Sequence, residues 1–429
     1  MTVNFKKNHN FPFLKSNKNM CVFLTSIHIN KVINLENIDI DIDSQQKKHL
    51  IITGKNGSGK TSLLISIADF LQRFHCDVNL DFLKLHEYVS LWQQELSNRK
   101  KNNAPSSDIL QAEQMVKSCQ DDLEKTFGKV NLKFNDLYEL SKKVQNQDYI
   151  LAFYTANRKT EVTVPVNPEK PDLKPVNDIN KTKITEFIRF LVDLKIQEAL
   201  ARNENKIQEA DEIKDWFINF NTLLKRLFED ESVILEFNYK DYSFTICQSD
   251  KKFGFNELSD GYSAIIDIVA DLIIKMQGQN SLTRIYEKQG IVLIDEIETH
   301  LHLKLQRVIL PMLTGIFPNI QLIVTTHSPF VLNSLENVIA YDLERKIRLE
   351  DLTEYSYEAL AEGYFKVETD SNFLQTKIDR FKELSEIINK DSSELEEYES
   401  LDKEFASMDE TFAPINVKGQ YLQIKIADK

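Results

Sequence analysis

Between residues 22 and 42 apolar and polar positions alternate, with Ile27 and Ile29, then Leu35, Ile38, Ile40 and Ile42 sharing a face. A period of two predicts two strands joined by a turn. His49, Leu50, Ile51, Ile52 and Thr53 form a short apolar run suited to a buried strand. From Leu63 the period lengthens: Leu63, Leu64, Ile67, Phe70, Leu71 and Phe74 recur at helical spacing and predict a helix packed on that strand. Residues 80–147 keep the helical period, with Phe82, Leu85, Val89, Trp92 and Leu96 on one face, a break at 98–107, then Met115, Cys119, Leu123, Leu137, Leu140 and Val144. This reads as an inserted helical hairpin.

The run 149–155 returns to strand character and is followed by Arg158, a strand-end cation. Four of the ten prolines fall at Pro165, Pro168, Pro171 and Pro175, which predicts an irregular connection. Helical spacing resumes over 184–200 and 207–228, and 233–247 alternates like a hairpin with Lys240 and Asp241 near its turn. Ile265, Ile266, Ile268, Val269, Leu272 and Ile273 then predict a strongly apolar helix. Two further buried strands are expected at 291–294 and 321–326, and helices at 378–388 and 392–404.

Composition changes this picture little. A chain of 429 residues that is 42% apolar can fill a substantial core. Cys21, Cys76, Cys119 and Cys247 lack C-x-x-C spacing, so neither a disulfide framework nor a zinc cluster is expected. A reducing, cytoplasmic setting fits that usage. No uninterrupted apolar stretch reaches the ~18 residues of a membrane span, and Lys6, Lys7, Asn8 and His9 precede no signal-type core. A soluble protein without membrane contact is expected. A net charge of −13 argues against a uniformly basic nucleic-acid binder, although clusters such as Arg99-Lys100-Lys101 leave nucleic acid open as a partner.

Chemistry enters at residues 54–61, which spell G-x-x-x-x-G-K-[ST] between the buried strand and the apolar helix. Gly54, Gly57 and Gly59 let the backbone fold into a nest of N–H groups together with Asn56, Ser58 and Ser62, and the following helix aims its positive end at phosphates. Lys60 would reach the β and γ phosphates and Thr61 would bind Mg²⁺. The strand 291–294 delivers Asp295 and Glu296 to its carboxyl end, Asp295 for Mg²⁺ and Glu296 to orient or deprotonate the attacking water. The second strand ends at His327, suited to sensing the γ phosphate. Ser259, in L-S-D-G-Y ahead of the apolar helix, can cap it and leave its N-terminus facing an anion.

This ordered set of loop, L-S-x-G signature, Asp-Glu strand and terminal His resembles the ABC-type ATPases, and more narrowly their soluble branch with the SMC, RecF and OLD proteins. The resemblance implies an α/β fold: a P-loop ATPase head of mixed sheet and flanking helices, with helical insertions and a helical C-terminal tail. It implies two heads meeting head to tail, with Ser259 and Gly261 of one completing the ATP and Mg²⁺ site of the other. Residues 294–342, including D-E-I-E-T-H-L-H and L-I-V-T-T-H-S-P-F, are similar to bacterial antiphage ATPases of the Septu and retron-associated systems, with the PARIS-system ATPase nearby. On that resemblance the chain is an ATP-hydrolysing sensor or regulator that restrains a separate effector, a nuclease. The alternative is a DNA-repair or DNA-tethering ATPase in the SMC or RecF style, against which stand the short insertions without a zinc hook.

The expected organisation is a first head segment at 1–78, a helical hairpin insertion at 79–147, a return strand and proline-rich connection at 148–182 and a second helical insertion at 183–230. A second head segment at 231–345 and an acidic helical tail at 346–429 complete it. Two departures from the family pattern stand out. Asp260 replaces the second glycine of the signature, and no glutamine stands at the strand end near Arg158, which is a candidate for that role. Asp39, Asp41 and Asp43 alternate as a metal cluster might, but fit the solvent face of a strand. His300 and His302 read as helix-entry or interface residues.

Overall fold

The alternating segment folds into two antiparallel strands, β1 (Leu24–Val32) and β2 (Leu35–Asp41), with Ile27 opposite Ile40 and Ile29 opposite Ile38. Their shared isoleucine face is fully covered, while Asp39 and Asp41 lie on the exposed face, where Asp39 accepts from His28 at 2.7 Å. The structure, a computed structural model, describes residues 21–77, 80–158, 167, 169–277, 288–350, 352–355, 359–360, 372–387, 389–408 and 415–427. Residues 6–9, Pro165 and Pro168 lie outside the described residues.

The apolar run becomes β3 (His49–Thr53), buried at all five positions, and feeds directly into the phosphate-loop helix α1 (Lys60–Cys76). Helix α1 buries Leu63, Leu64, Ile67, Phe70, Leu71 and Phe74, each contributing about 1.5–3 kcal/mol by removal from water. Its aromatic end packs edge-on, with Phe74 and Phe82 ring centres 5.2 Å apart.

The insertion at 79–147 holds more than a helical hairpin. Helices α2 (Leu85–Lys101) and α3 (Ser106–Phe127) do pack together, but β4 (Val130–Phe134) then joins β1, with Leu132 opposite Ile27 and Val130 opposite Ile29. The chain therefore returns to the head before α4 (Leu137–Gln145), whose Asp136 cap accepts the Glu139 N–H. Five alternating residues between two helical patterns are too short a signal to read without the partner strand that they pair with.

Strand β5 (Tyr149–Tyr154) is buried throughout. After it, α5 (Phe187–Asn203) and α6 (Ile207–Phe228) pack against each other, and Trp216 stacks on Phe220 at 5.3 Å. The expected hairpin is a three-stranded sheet of β6 (Ile234–Asn238), β7 (Ser243–Gln248) and β8 (Lys251–Phe253). The remaining elements are α7 (Asp260–Met276), β9 (Gln289–Ile294), α8 (Leu303–Ile316), β10 (Ile320–Thr325), α9 (Pro329–Leu332), β11 (Val338–Asp342) and β12 (Ile347–Leu349).

The central sheet has the order β12-β11-β3-β10-β9-β5, parallel except at β12. Register places Tyr154 and Val324 beside Ile294, so β5, β9 and β10 end level and their following residues meet. Helix α1 contacts both this sheet and the β2-β1-β4 sheet, and its buried residues share a core cluster with residues of both. Helix α7 is buried on nearly every side, against β5, α5 and α8.

The chain divides into two compact units, Met1–Thr353 and Glu354–Lys429. The second contains α10 (Asn372–Glu386), α11 (Ser392–Ala406) and α12 (Ile415–Ala427), with Phe381 stacked on Tyr398 at 4.8 Å. Among the described residues no helix is long and apolar enough to cross a membrane.

Candidate functional site

The loop between β3 and α1 exists because three glycines adopt conformations costly to other residues, with φ of +139° at Gly54, +81° at Gly57 and +95° at Gly59. Space is also short, since a Cβ on Gly54 would lie 2.9 Å from Ser58 Oγ. Asn56 is exposed on the loop, and Ser62 lies in the first turn of α1. No acidic residue occupies that first turn, so the positive helix end faces the loop without a carboxylate of its own. Among the described residues Ser58 Oγ and Thr53 Oγ1, in and just before the loop, are buried without a hydrogen-bond partner. The residues present fit a polyphosphate.

Lys60 is buried and folds back, its Nζ donating to the carbonyls of Gly54 at 2.8 Å and Lys55 at 3.1 Å. Burial pushes its pKa down; Glu296, Glu298, Asp295 and Asp342 oppose that shift. One lysine thus faces four carboxylates.

Asp295, the first residue after β9, is held on both sides. Thr61 Oγ1 donates to its Oδ2 at 2.9 Å and Thr325 Oγ1 to its Oδ1 at 2.6 Å. The Thr61 hydroxyl and the Asp295 carboxylate are hard oxygen donors in direct contact, a set that fits Mg²⁺. Glu296 has a left-handed backbone at φ +43° and is stabilised there by its N–H to Thr325 Oγ1 at 2.7 Å. Its Oε2 accepts from Thr299 Oγ1 at 3.2 Å. His327, just beyond β10, is half-buried; burial and then Lys60 lower its pKa, which favours the neutral ring. Its backbone N–H donates to Glu298 Oε1 at 2.5 Å.

Arg158 is the strand-end cation expected from sequence. It is buried, and its Nη2 donates to the carbonyls of Asp295 at 3.1 Å and Glu296 at 2.7 Å. Thr325, Glu298 and Thr299 were not singled out by sequence reasoning. Glu298 stands inside D-E-I-E-T-H, and the paired threonines at the end of β10 were the available signal.

The structure does not bring the signature to this cluster. Among the described residues no hydrogen bond links Ser259 or Gly261 to residues 54–62. Ser259 occupies the N-cap position of α7 as expected, but its side chain makes no capping bond and is exposed. That corrects the expected cap: the first turn already has Asp260 beside its free N–H groups, and the Ser259 hydroxyl is left to solvent. Asp260 is exposed as well. Gly261 is buried, and a Cβ there would meet the His300 carbonyl oxygen at 2.7 Å. Its need for glycine therefore has a packing cause within this chain. His302 is the N-cap residue of α8, and Tyr262 meets its ring edge-on at 6.1 Å.

Comparison with known proteins adds the family. The chain is 37% identical to the Septu protein PtuA of Bacillus mycoides over 134 residues, 31% of this chain and 18% of that protein. It is 25% identical to the Retron Vc95 probable ATPase of Vibrio cholerae over an alignment covering 68% of each. It is 42% identical to the Retron Ec83 probable ATPase of Escherichia coli over 83 residues, 19% of this chain and 15% of that protein. The chain thus spans under a fifth of the length of two of these relatives. Among solved structures it resembles the SmcHead bound to the C-winged helix domain of ScpA, at 12% identity, 78% coverage of this chain and 100% of that one, with a TM-score of 0.36. That score is too low to carry an argument, and the fold rests on the sheet order and loop described above. Residues 118–333, just over half of the chain and including the signature, Asp295, Glu296 and His327, match the family described as "AAA domain, putative AbiEii toxin, Type IV TA system". The match over residues 118–333, which holds the acid-bearing strand end that the phosphate loop meets, places this chain in the AAA-domain family.

Proposed function

We propose that this chain binds and hydrolyses ATP with Mg²⁺ as the ATPase subunit of a bacterial antiphage defence system. The observation that carries the reading is the bonded chain Thr61–Asp295–Thr325–Glu296, which joins the phosphate loop, the acidic strand end and the neighbouring strand in one site. The defence role is supported by likeness to proteins named for the Septu and retron systems.

Bound Mg²⁺, held by Thr61 and Asp295, would supply charge neutralisation at the phosphates. Lys60 leaves the two loop carbonyls and donates to phosphate oxygens. Glu296 holds Thr299 through one carboxylate oxygen and accepts a water proton through the other, as the general base. His327, kept neutral by burial and by Lys60, donates one ring N–H toward the γ phosphate. The signature residues Ser259 and Gly261 complete the site of a second head in a head-to-tail dimer, a reading supported by the exposed Ser259, whose side chain makes no capping bond. The assembly then regulates a separate effector, a nuclease, in the cytoplasm.

The test is steady-state hydrolysis with nucleotide binding measured alongside. Glu296→Gln is expected to keep nucleotide binding and lose roughly 10²–10³-fold in kcat. It should also abolish phage protection in a strain that the wild type protects. Full protection by that variant would reject hydrolysis as the driving step.

A further inference from the structure

The loop that carries Glu296 is gripped from two sides by residues whose own bonding is incomplete. On one side Arg158 Nη2 holds the carbonyls of Asp295 and Glu296, while its Nε is buried without a hydrogen-bond partner among the described residues. On the other side Glu298 Oε1 accepts the His327 N–H, while its Oε2 is buried without a hydrogen-bond partner among the described residues. One orphan is a cationic donor and the other an anionic acceptor. Leaving both unmade in a buried place is unfavourable for each.

The two groups already feel each other. Glu298 is the foremost charge opposing the burial effect on Arg158, yet no ion pair joins them among the described residues. Glu298 is also one of the carboxylates that balance Lys60. When a phosphate takes up the Lys60 ammonium, that balance is withdrawn, and Arg158 is the cation left to Glu298. The strained φ of Glu296, +43°, lies in the short segment that would have to adjust.

We propose that Glu298 and Arg158 close into a carboxylate–guanidinium pair when nucleotide occupies the loop, and that this pair sets Glu296 through its backbone and His327 through its amide. Both are positioning residues, and the proposal rests on the ATPase reading above. Closure adds a side-chain pair to the backbone bonds that already join the residues after β5, the loop after β9 and the end of β10.

The experiment is a double-mutant cycle with Glu298→Gln, Arg158→Met and the double variant, reading kcat, KM and the nucleotide-induced rise in melting temperature. Glu298→Gln keeps one oxygen acceptor for the His327 N–H and replaces the oxygen that would meet Arg158 with an uncharged NH2 donor. Each single variant is expected to lower kcat roughly tenfold or more with KM within about threefold, and the double variant to be no worse than the poorer single. Losses that multiply in the double variant, or a raised KM with kcat intact, overturn the pair. If Arg158→Met fails to fold, Glu298→Gln decides alone: its nucleotide-induced stabilisation should be smaller than that of the wild type, and an equal rise overturns the proposal. Wild type without turnover rejects the ATPase reading together with the pair, whereas active wild type with unaffected Glu298→Gln rejects the pair alone.

Discussion

The carboxyl ends of β9 and β10 and the N-terminal end of α7 carry the two sets of residues that the motifs assign to ATP, and they are built in opposite ways. At the strand ends both oxygens of Asp295 are bonded, Lys60 is folded onto two carbonyls and Glu296 is pinned by Thr325. At the start of α7, Ser259 and Asp260 are exposed and Ser259 caps nothing. Groups that must hold charge in a fixed geometry are preorganised by their own chain. Polar groups that find no partner in their own fold stay solvated, because burying them so would be unfavourable.

The largest test of that contrast is Asp295→Asn. It removes the charge but not the volume at the point where Thr61 and Thr325 converge, and kcat is expected to fall about 10³-fold. A loss under tenfold in a hydrolysis assay would show that the bonded cluster is structural only.

A second test concerns the start of β3, the strand whose other end leads into the phosphate loop. His49 is buried at the start of β3, and its Nδ1 accepts the Leu322 N–H of β10 at 3.0 Å, which requires the neutral ring. Burial lowers its pKa from 6.5 to about 4. Below pH 6.5 the unfolded chain therefore takes a proton that the folded chain refuses. The stabilisation is full above 6.5 and is lost as pH falls toward 4, by up to about 3 kcal/mol. Thermal melting across that window should show a shallower pH slope in His49→Asn than in wild type. Identical slopes would contradict a neutral buried ring.

The smallest effect separates two neighbours in the signature. Gly261→Ala sets a Cβ against the His300 carbonyl and should lower stability by about 1–3 kcal/mol. Ser259→Ala should change it by less than about 0.5 kcal/mol, since the hydroxyl makes no cap. Equal melting temperatures for the two variants would erase the distinction between a packed and an open signature residue.

Much of this was legible in the residues. Gly54, Gly59, Lys60 and Thr61 sit between an apolar strand and an apolar helix, and few backbone arrangements suit that order. The Asp295 and Glu296 strand was readable for a similar reason, since four apolar residues followed by two acids describe a buried strand with a polar end. Strand β4 was not readable, because five alternating residues acquire meaning only beside β1. Thr325 was missed for a related reason: a hydroxyl at a strand end is ordinary until register sets it 2.6 Å from a carboxylate. The Ser259 cap was expected from residue type and position, yet only the side-chain rotamer decides whether such a bond is made.

By itself, then, the sequence determined the local chemistry: the phosphate loop, the acidic strand end, the terminal His and the periods that build strands and helices around them. These follow from steric limits and side-chain patterning within a few residues. Tertiary structure alone decided that Thr325 and Thr61 share Asp295, that Arg158 holds the backbone of Asp295 and Glu296, and that Gly261 is a packing glycine. Those contacts join residues far apart in the chain, and the parallel pairing of β3, β5, β9 and β10 is what brings the strand-end residues within bonding distance.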